Sequence, residues 1–153
     1  MTNVKDCIVI ENARIIFRNF SGIETKFNRK GSRNFCVVIE DPKLADELTA
    51  IGWNIRTLKP REPEDEVTSY LPVQVSFDNV PPKVFLVTKN AKTQLDTDSI
   101  GTLDFAEIAN VDLVVRPYNW EANGKFGVKA YLKEMYVTIV EGAFADKYAN
   151  LNG

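Results

Sequence analysis

Val111-Asp112-Leu113-Val114-Val115-Arg116-Pro117-Tyr118-Asn119-Trp120-Glu121-Ala122-Asn123-Gly124-Lys125-Phe126-Gly127-Val128-Lys129-Ala130-Tyr131-Leu132-Lys133 is the stretch on which the fold turns. Asn123-Gly124 stands between two alternating runs, and an Asn-Gly pair suits a two-residue hairpin turn because both of its positions need positive φ. A turn of that length sets the register. Ala122 then faces Lys125, Trp120 faces Gly127, Tyr118 faces Lys129 and Arg116 faces Tyr131. Successive side chains leave a strand on opposite sides, so the hairpin has two unlike faces. Leu113, Val115, Pro117, Val128, Ala130 and Leu132 form a core face. Arg116, Tyr118, Trp120, Lys129, Tyr131 and Lys133 form the other, where planar rings alternate with cations. A three-residue turn would shift the pairing by one and take Lys129, Tyr131 and Lys133 off the Arg116 face.

Outward from the hairpin, the same period-two pattern predicts strands over Cys7–Phe20, Arg33–Glu40, Leu71–Asp78, Lys83–Thr88, Val111–Glu121 and Lys125–Val140. The first of these carries an irregularity near Glu11-Asn12. Asp41 as cap, Pro42 in first position and Gly52 as stop predict a helix over Pro42–Ile51, with Leu44, Leu48 and Ile51 on one face. A second short helix is predicted over Thr102–Ala109. Lys59–Ser69 is Pro-rich and acidic and reads as an exposed loop. Trp53, just past Gly52, reads as a core residue. Many strands and few helices indicate a sandwich or a closed barrel. The order fits a mainly β, OB-fold-like five-stranded barrel: a long first strand, a basic first loop, a helix before the fourth strand and a final hairpin. The Pro42–Ile51 helix and the Lys83–Thr88 strand are additions to that plan. One domain over residues 1–148 accounts for the chain, with 149–153 as a frayed end.

Composition narrows the function classes. The 153 residues, 44% hydrophobic and 26% charged, are ordinary globular material with enough length for a core. The apolar run Cys7-Ile8-Val9-Ile10 is too short for a signal-peptide core or a membrane span, so the protein is expected to stay where it is made, without a membrane. Cys7 and Cys36 lie outside any CxxC pair and read as reduced. Without histidine, zinc fingers, His-based triads and histidine general bases are excluded. The net charge of −2 conceals an asymmetry: residues 1–61 hold 11 Lys/Arg against 7 Asp/Glu, whereas 62–153 hold 8 against 14. The local field, rather than the total, decides where a phosphate backbone can lie.

The mixed face of the hairpin has the chemistry a single nucleic-acid strand needs, because unpaired bases stack on rings while phosphates pair with Lys and Arg. A solvated face whose Tyr and Lys pack along one another fits the same pattern. The loop Ser21–Ser32 adds a second feature. Lys26, Arg29 and Lys30, with Arg33 just beyond, surround Phe27, and in an OB barrel this loop and the Asn123-Gly124 turn frame the oligonucleotide groove. A floppy charged loop is the simpler alternative. Arg14 and Arg18, with Phe20, would extend the groove or pair with acidic neighbours.

Several segments resemble the small OB-fold single-stranded DNA-binding proteins of tailed phages, especially those of Gram-positive hosts. They are Glu11-Asn12-Ala13-Arg14, Arg33-Asn34-Phe35-Cys36-Val37, Val75-Ser76-Phe77-Asp78-Asn79-Val80-Pro81-Pro82, Gly101-Thr102-Leu103-Asp104-Phe105, Arg116-Pro117-Tyr118-Asn119-Trp120 and Lys129-Ala130-Tyr131-Leu132-Lys133. The resemblance spans Glu11 to about Val140. It implies sequence-independent binding of single-stranded DNA during phage replication, recombination or repair in the host bacterial cytoplasm. It also implies no cofactor, with phage replication or recombination proteins as further partners; the sequence leaves the oligomeric state open between a monomer and a weak dimer. Replication proteins of this class often end in an acidic tail. This chain ends Ala145-Asp146-Lys147-Tyr148-Ala149-Asn150-Leu151-Asn152-Gly153, so either the sequence is shortened or partner recruitment works differently.

Competing chemistry is weak. Asp96, Asp98, Gly101, Asp104 and Glu107 fall at EF-hand positions one, three, six, nine and twelve, but Ile100 holds the fifth, and the preceding segment is strand-like. An acidic turn leading into a capped helix is the simpler account. Asp78, Asp104, Glu107 and Asp112 show no spacing that converges on a two-metal nuclease site, and no phosphate-binding GxxxxGK[ST] loop occurs. No metal site and no catalytic residues are assigned, and the chain is read as a non-enzyme. The rival function is a structural or adaptor protein, a virion or replisome component, using the same aromatic face for protein contact.

Overall fold

The computed structural model describes residues 4–59, 62, 64, 66–78 and 80–141. Among these residues, nine strands and one α-helix follow one another: β1 Ile8–Ile10, β2 Ile15–Asn19, β3 Arg33–Ile39, α1 Pro42–Ile51, β4 Arg56–Leu58, β5 Thr68–Val75, β6 Lys83–Val87, β7 Lys92–Leu95, β8 Ile108–Ala122 and β9 Lys125–Ile139. A 3-10 helix, Ile100–Asp104, precedes β8. The strand order is β1-β8-β9-β5-β3-β2, with β4 added beside β5 and the β6–β7 hairpin added beside β9. β5 and β9 run parallel, and β8–β9 is an antiparallel hairpin.

The path begins and ends on the same piece of chain, because β1 and β2 are the two halves of the predicted first strand. They part at Asn12, whose φ is 52°, with its N–H held by Asp112 Oδ1 at 2.9 Å. Asn tolerates this left-handed conformation better than most residues. Just beyond it, the Ala13 N–H donates to Val111 of β8 and the Arg14 carbonyl accepts from Val38 beyond it on β3. Adjacent residues thus bond to opposite ends of the sheet and close an OB-like barrel.

The hairpin has the register set by its turn. Asn123 and Gly124 have φ of 54° and 77°, and Ala122–Lys125, Trp120–Gly127, Tyr118–Lys129 and Arg116–Tyr131 are paired. Leu113, Val115, Val128, Ala130 and Leu132 are buried and Pro117 is half-buried. The regularity ends at Lys133, the extra residue of a bulge where Val115 pairs Leu132 and Val114 pairs Glu134. Past it, Met135 and Val137 take the inward places.

α1 has the predicted bounds. Asp41 accepts from the Lys43 N–H, Pro42 opens it, and the Gly52 N–H bonds back to Leu48 and Thr49 at φ 120°. Its inner face differs from the expected one: Ala45 and Leu48 are buried, whereas Ile51 is 56% exposed and Leu44 36% exposed. Trp53 takes the core place beyond the helix, bridged to Val128.

The second predicted helix is shorter and earlier than expected. Asp104 turns away to bond Phe20 and Ser21, and Ile108 already pairs with Ile139. β4 and β7 were not predicted, and β5 begins within the expected loop, at Thr68. Part of that loop, and the expected frayed end 149–153, lie outside the described residues.

Candidate nucleic-acid interface

Alternation places the residues between the buried ones on the barrel's outer face. Phe35 and Val37, Leu71 and Val73, and Val128 and Ala130 point inward. Asn34 and Cys36 of β3, Tyr70, Pro72 and Gln74 of β5, and Lys129 and Tyr131 of β9 therefore form the lining of a groove of about 770 Å³. Phe17 stands on one wall, and Phe27, Asn28, Arg29 and Ser32 of the β2–β3 loop stand beside it. Burial pushes the Cys36 thiol up to about 11, opposed by the Arg56 guanidinium, so the groove floor holds a protonated thiol near a cation. Both cysteines are free.

The β2–β3 loop is hydrogen-bonded rather than floppy. Its neck closes where the Gly31 N–H donates to the Gly22 carbonyl at 2.7 Å. A Cβ on Gly22 would lie 3.0 Å from the Gly31 backbone, and Gly22 has φ +71°, so this close approach needs glycine. Within the loop, Asn28 Nδ2 donates to the Ile23, Arg29 and Ser32 carbonyls, and its Oδ1 accepts from Asn34 Nδ2. Asn28 thereby ties the loop to the groove floor. Phe27 projects from it 93% exposed, with Lys26 Nζ 5.8 Å from its ring centre.

Phe17 was not singled out from the sequence. A bulge between Ile16 and Asn19 places it at φ 53° and 58% exposed, with its ring edge-on to Tyr70 at 5.7 Å. A bulky residue in the left-handed region costs about 1–3 kcal/mol, and such strain concentrates at functional sites. Phe17→Gly is therefore expected to leave thermal stability unchanged or raise it by about 1 kcal/mol while weakening DNA binding. Thermal unfolding and an oligo-dT titration measure the two effects, and a fall in both would make Phe17 an ordinary packing residue.

The hairpin residues fall into different settings. The Tyr131 ring is stacked by the Arg116 guanidinium at 4.9 Å and met edge-on by Tyr118 at 5.5 Å. Arg116 thus supports Tyr131 from outside the groove, and its Nε is buried without a partner among the described residues. Tyr118 and Trp120 belong to a neighbouring cavity of about 600 Å³ with Trp53, Phe126 and Gly127. Lys133, on its bulge, is exposed and lines neither cavity.

The loop cations also divide. Lys26, Arg29 and Lys30 are exposed beside Phe27. Arg33 instead caps the barrel end, donating to the Phe20 and Thr97 carbonyls, with its guanidinium 6.0 Å from the Phe77 ring. Arg18 is likewise engaged, donating to the Leu103 and Ala106 carbonyls at 2.8 Å. Arg14 is exposed. Arg56, Tyr70 and Gln74 join the groove without having been singled out. The Tyr70-to-Val75 alternation was available for two of them, but nothing in the sequence marks Arg56.

Three of the acidic decoys have structural duties. Asp96 accepts from the Ser99 hydroxyl and from the Asp98 and Ser99 N–H groups, which hold its carboxyl below the usual range. Asp104 clips the start of the β2–β3 loop, and Asp112 holds Asn12. Among the described residues no three His, Cys, Asp or Glu side chains group as metal ligands. No described helix is long and apolar enough to cross a membrane.

The model of the phage ssDNA-binding domain family matches residues 2–152. No curated protein matches the sequence. Among solved structures, the chain is similar to the single-stranded DNA-binding protein of bacteriophage Enc34 in complex with ssDNA, at 14% identity and TM-score 0.60, covering 94% of this chain and 96% of that one. The same phage protein without DNA aligns at 12% identity and TM-score 0.57, covering 100% and 97%. At these identities the likeness is one of fold.

Proposed function

The chain belongs to the phage ssDNA-binding domain family, and from that membership we propose that it holds a single DNA strand, without reading its sequence, in the groove across β3, β5 and β9. One observation carries the placement. Phe17, Phe27 and Tyr131 offer ring surface around one groove, while the side chains of Arg29, Arg56 and Lys129 make no hydrogen bond or ion pair among the described residues. Rings that border a groove and cations without a partner among the described residues suit bases and phosphates. The groove floor offers Asn34, Gln74, Pro72 and Cys36, an uneven set suited to tolerating any base. The Enc34 protein, whose fold is similar, was solved with ssDNA bound. The chain acts by binding alone, without a cofactor, as a monomer or weak dimer in the host cytoplasm. There it serves replication, recombination or repair alongside other phage proteins.

Oligo-dT titrations at two salt concentrations test this. Binding should weaken as salt rises, with a slope of about −0.7 per phosphate neutralised on a single strand. Replacing Arg29, Arg56 and Lys129 together by Gln should reduce that slope by about 2. No mobility shift at low salt would overturn the proposal, and a stable oligomer burying Tyr118 and Trp120 without DNA affinity would favour the adaptor role instead.

A further inference from the structure

Among the described residues, the groove and the hairpin cavity share Asn54, Arg56 and Lys129 and no other lining residue. We infer that the two cavities are successive lobes of one DNA path, and that Asn54, Arg56 and Lys129 form the ridge over which the sugar–phosphate backbone crosses. This rests on the single-strand binding proposed above and extends it to a second stacking site. The first lobe offers Phe17, Tyr70 and Tyr131; the second offers Tyr118, Trp120 and Phe126. The ridge between them is polar and cationic, so the surface runs ring, cation, ring, as a strand runs base, phosphate, base. Among the described residues, Arg56 and Lys129 are also the only cations lining the second lobe. A base stacked there brings its phosphate to them.

Two features of the chain build this arrangement. β5 pairs with β4 through Thr68–Tyr70 and with β9 through Val73–Gln74, and it changes partner at Pro72, which has no N–H to give. The entry to β4 therefore runs beside β9, bridged to it at Trp53–Val128, which brings Arg56 and Lys129 to the same ridge. In the second lobe, Trp120 lies down over Gly127. A Cβ on Gly127 would come within 3.0–3.1 Å of three indole atoms, so only glycine lets the ring rest against the strand. The indole is held on one side and still 39% exposed. A ring ordered beforehand loses little freedom when a base stacks on it.

A length series of oligo-dT, spanning the roughly 4–16 nucleotides an OB fold covers, tests the path by affinity and tryptophan emission together. The two tryptophans, buried Trp53 and half-exposed Trp120, both line the second lobe, so a change in emission reports on that lobe. The shortest oligomers should occupy the groove, lose affinity in Tyr131→Ala, keep it in Trp120→Ala and leave the emission unchanged. Beyond a threshold length, affinity should rise and emission fall together. Trp120→Ala should then cost about 5- to 150-fold, the value of one stacked base. Tyr118→Ala, in the same lobe, should reproduce the length dependence if Trp120→Ala folds poorly. Arg56→Gln should shrink the gain on lengthening. Equal costs of Trp120→Ala at all lengths, or none at any length with binding intact, would overturn the two-lobed path. Failure of every oligomer to bind would overturn single-strand binding itself.

Discussion

Tyr131→Ala is expected to lower affinity for oligo-dT by about 1–3 kcal/mol, or roughly 5- to 150-fold, the value of a base stacked on an aromatic side chain. The ring stands on the groove at the β9 face, with Arg116 over it at 4.9 Å and Tyr118 against it at 5.5 Å. Those contacts restrict the ring before DNA arrives, so stacking on it costs little ordering. Its strand neighbours Ala130 and Leu132 hold the core instead, which is why thermal stability should move little. Tyr131→Phe should retain most of the affinity, since the stack needs the ring rather than the hydroxyl. The salt slope should be unchanged in both variants, because a stacked base neutralises no phosphate. Wild-type affinity in a folded Tyr131→Ala protein would remove this ring from the DNA path.

Asp104→Ala is expected to cost about 3 kcal/mol of folding stability, with urea unfolding as the measure and an unchanged m-value as the check. Asp104 Oδ1 accepts from the Phe20 N–H at 2.6 Å, and Oδ2 accepts from the Ser21 N–H at 3.0 Å and the Ser21 hydroxyl at 2.7 Å. Phe20 is fully buried and stacked on Phe35 at 5.1 Å, so its N–H gains no easy substitute acceptor. Hydrogen bonds to a charged acceptor contribute about 1.5–3 kcal/mol, and an orphaned donor adds a penalty of its own. Asp104→Asn should fall between, keeping one acceptor but turning a donor toward Ser21. Gly101 approaches the same serine so closely that a Cβ would sit 2.7 Å from its Oγ. The 3-10 helix thus anchors the loop that carries Phe27 and Arg29, and a loss below about 1 kcal/mol in Asp104→Ala would show that the anchor lies elsewhere.

Legibility followed the range of the forces involved. Asn123-Gly124 determined a register that runs unbroken from Ala122–Lys125 to Val115–Leu132, because turn chemistry and alternation are local. Asp41, Pro42 and Gly52 bounded α1 for the same reason. β4 and β7 escaped because they are three and four residues long and mostly exposed, with no apolar alternation to announce them. Phe17 escaped because one extra residue in β2 breaks the period that would have assigned its face. The EF-hand-like spacing from Asp96 to Glu107 misleads in the opposite way: a linear pattern is present, but Asp96 and Asp104 are occupied by backbone N–H groups.

By itself, then, the sequence determined the barrel plan, the hairpin's two faces and the basic loop beside Phe27, since periodicity, caps and turns act within a few residues. The tertiary structure alone decided which cations are free. Arg33, from the basic cluster, donates to the Phe20 and Thr97 carbonyls, whereas Arg56, from an unremarkable segment, lines the groove together with Cys36 and Lys129 and has no hydrogen-bond or ion-pair partner among the described residues. Whether a charge is available to a phosphate depends on which acceptors the fold brings to it, and those come from residues far away in the chain.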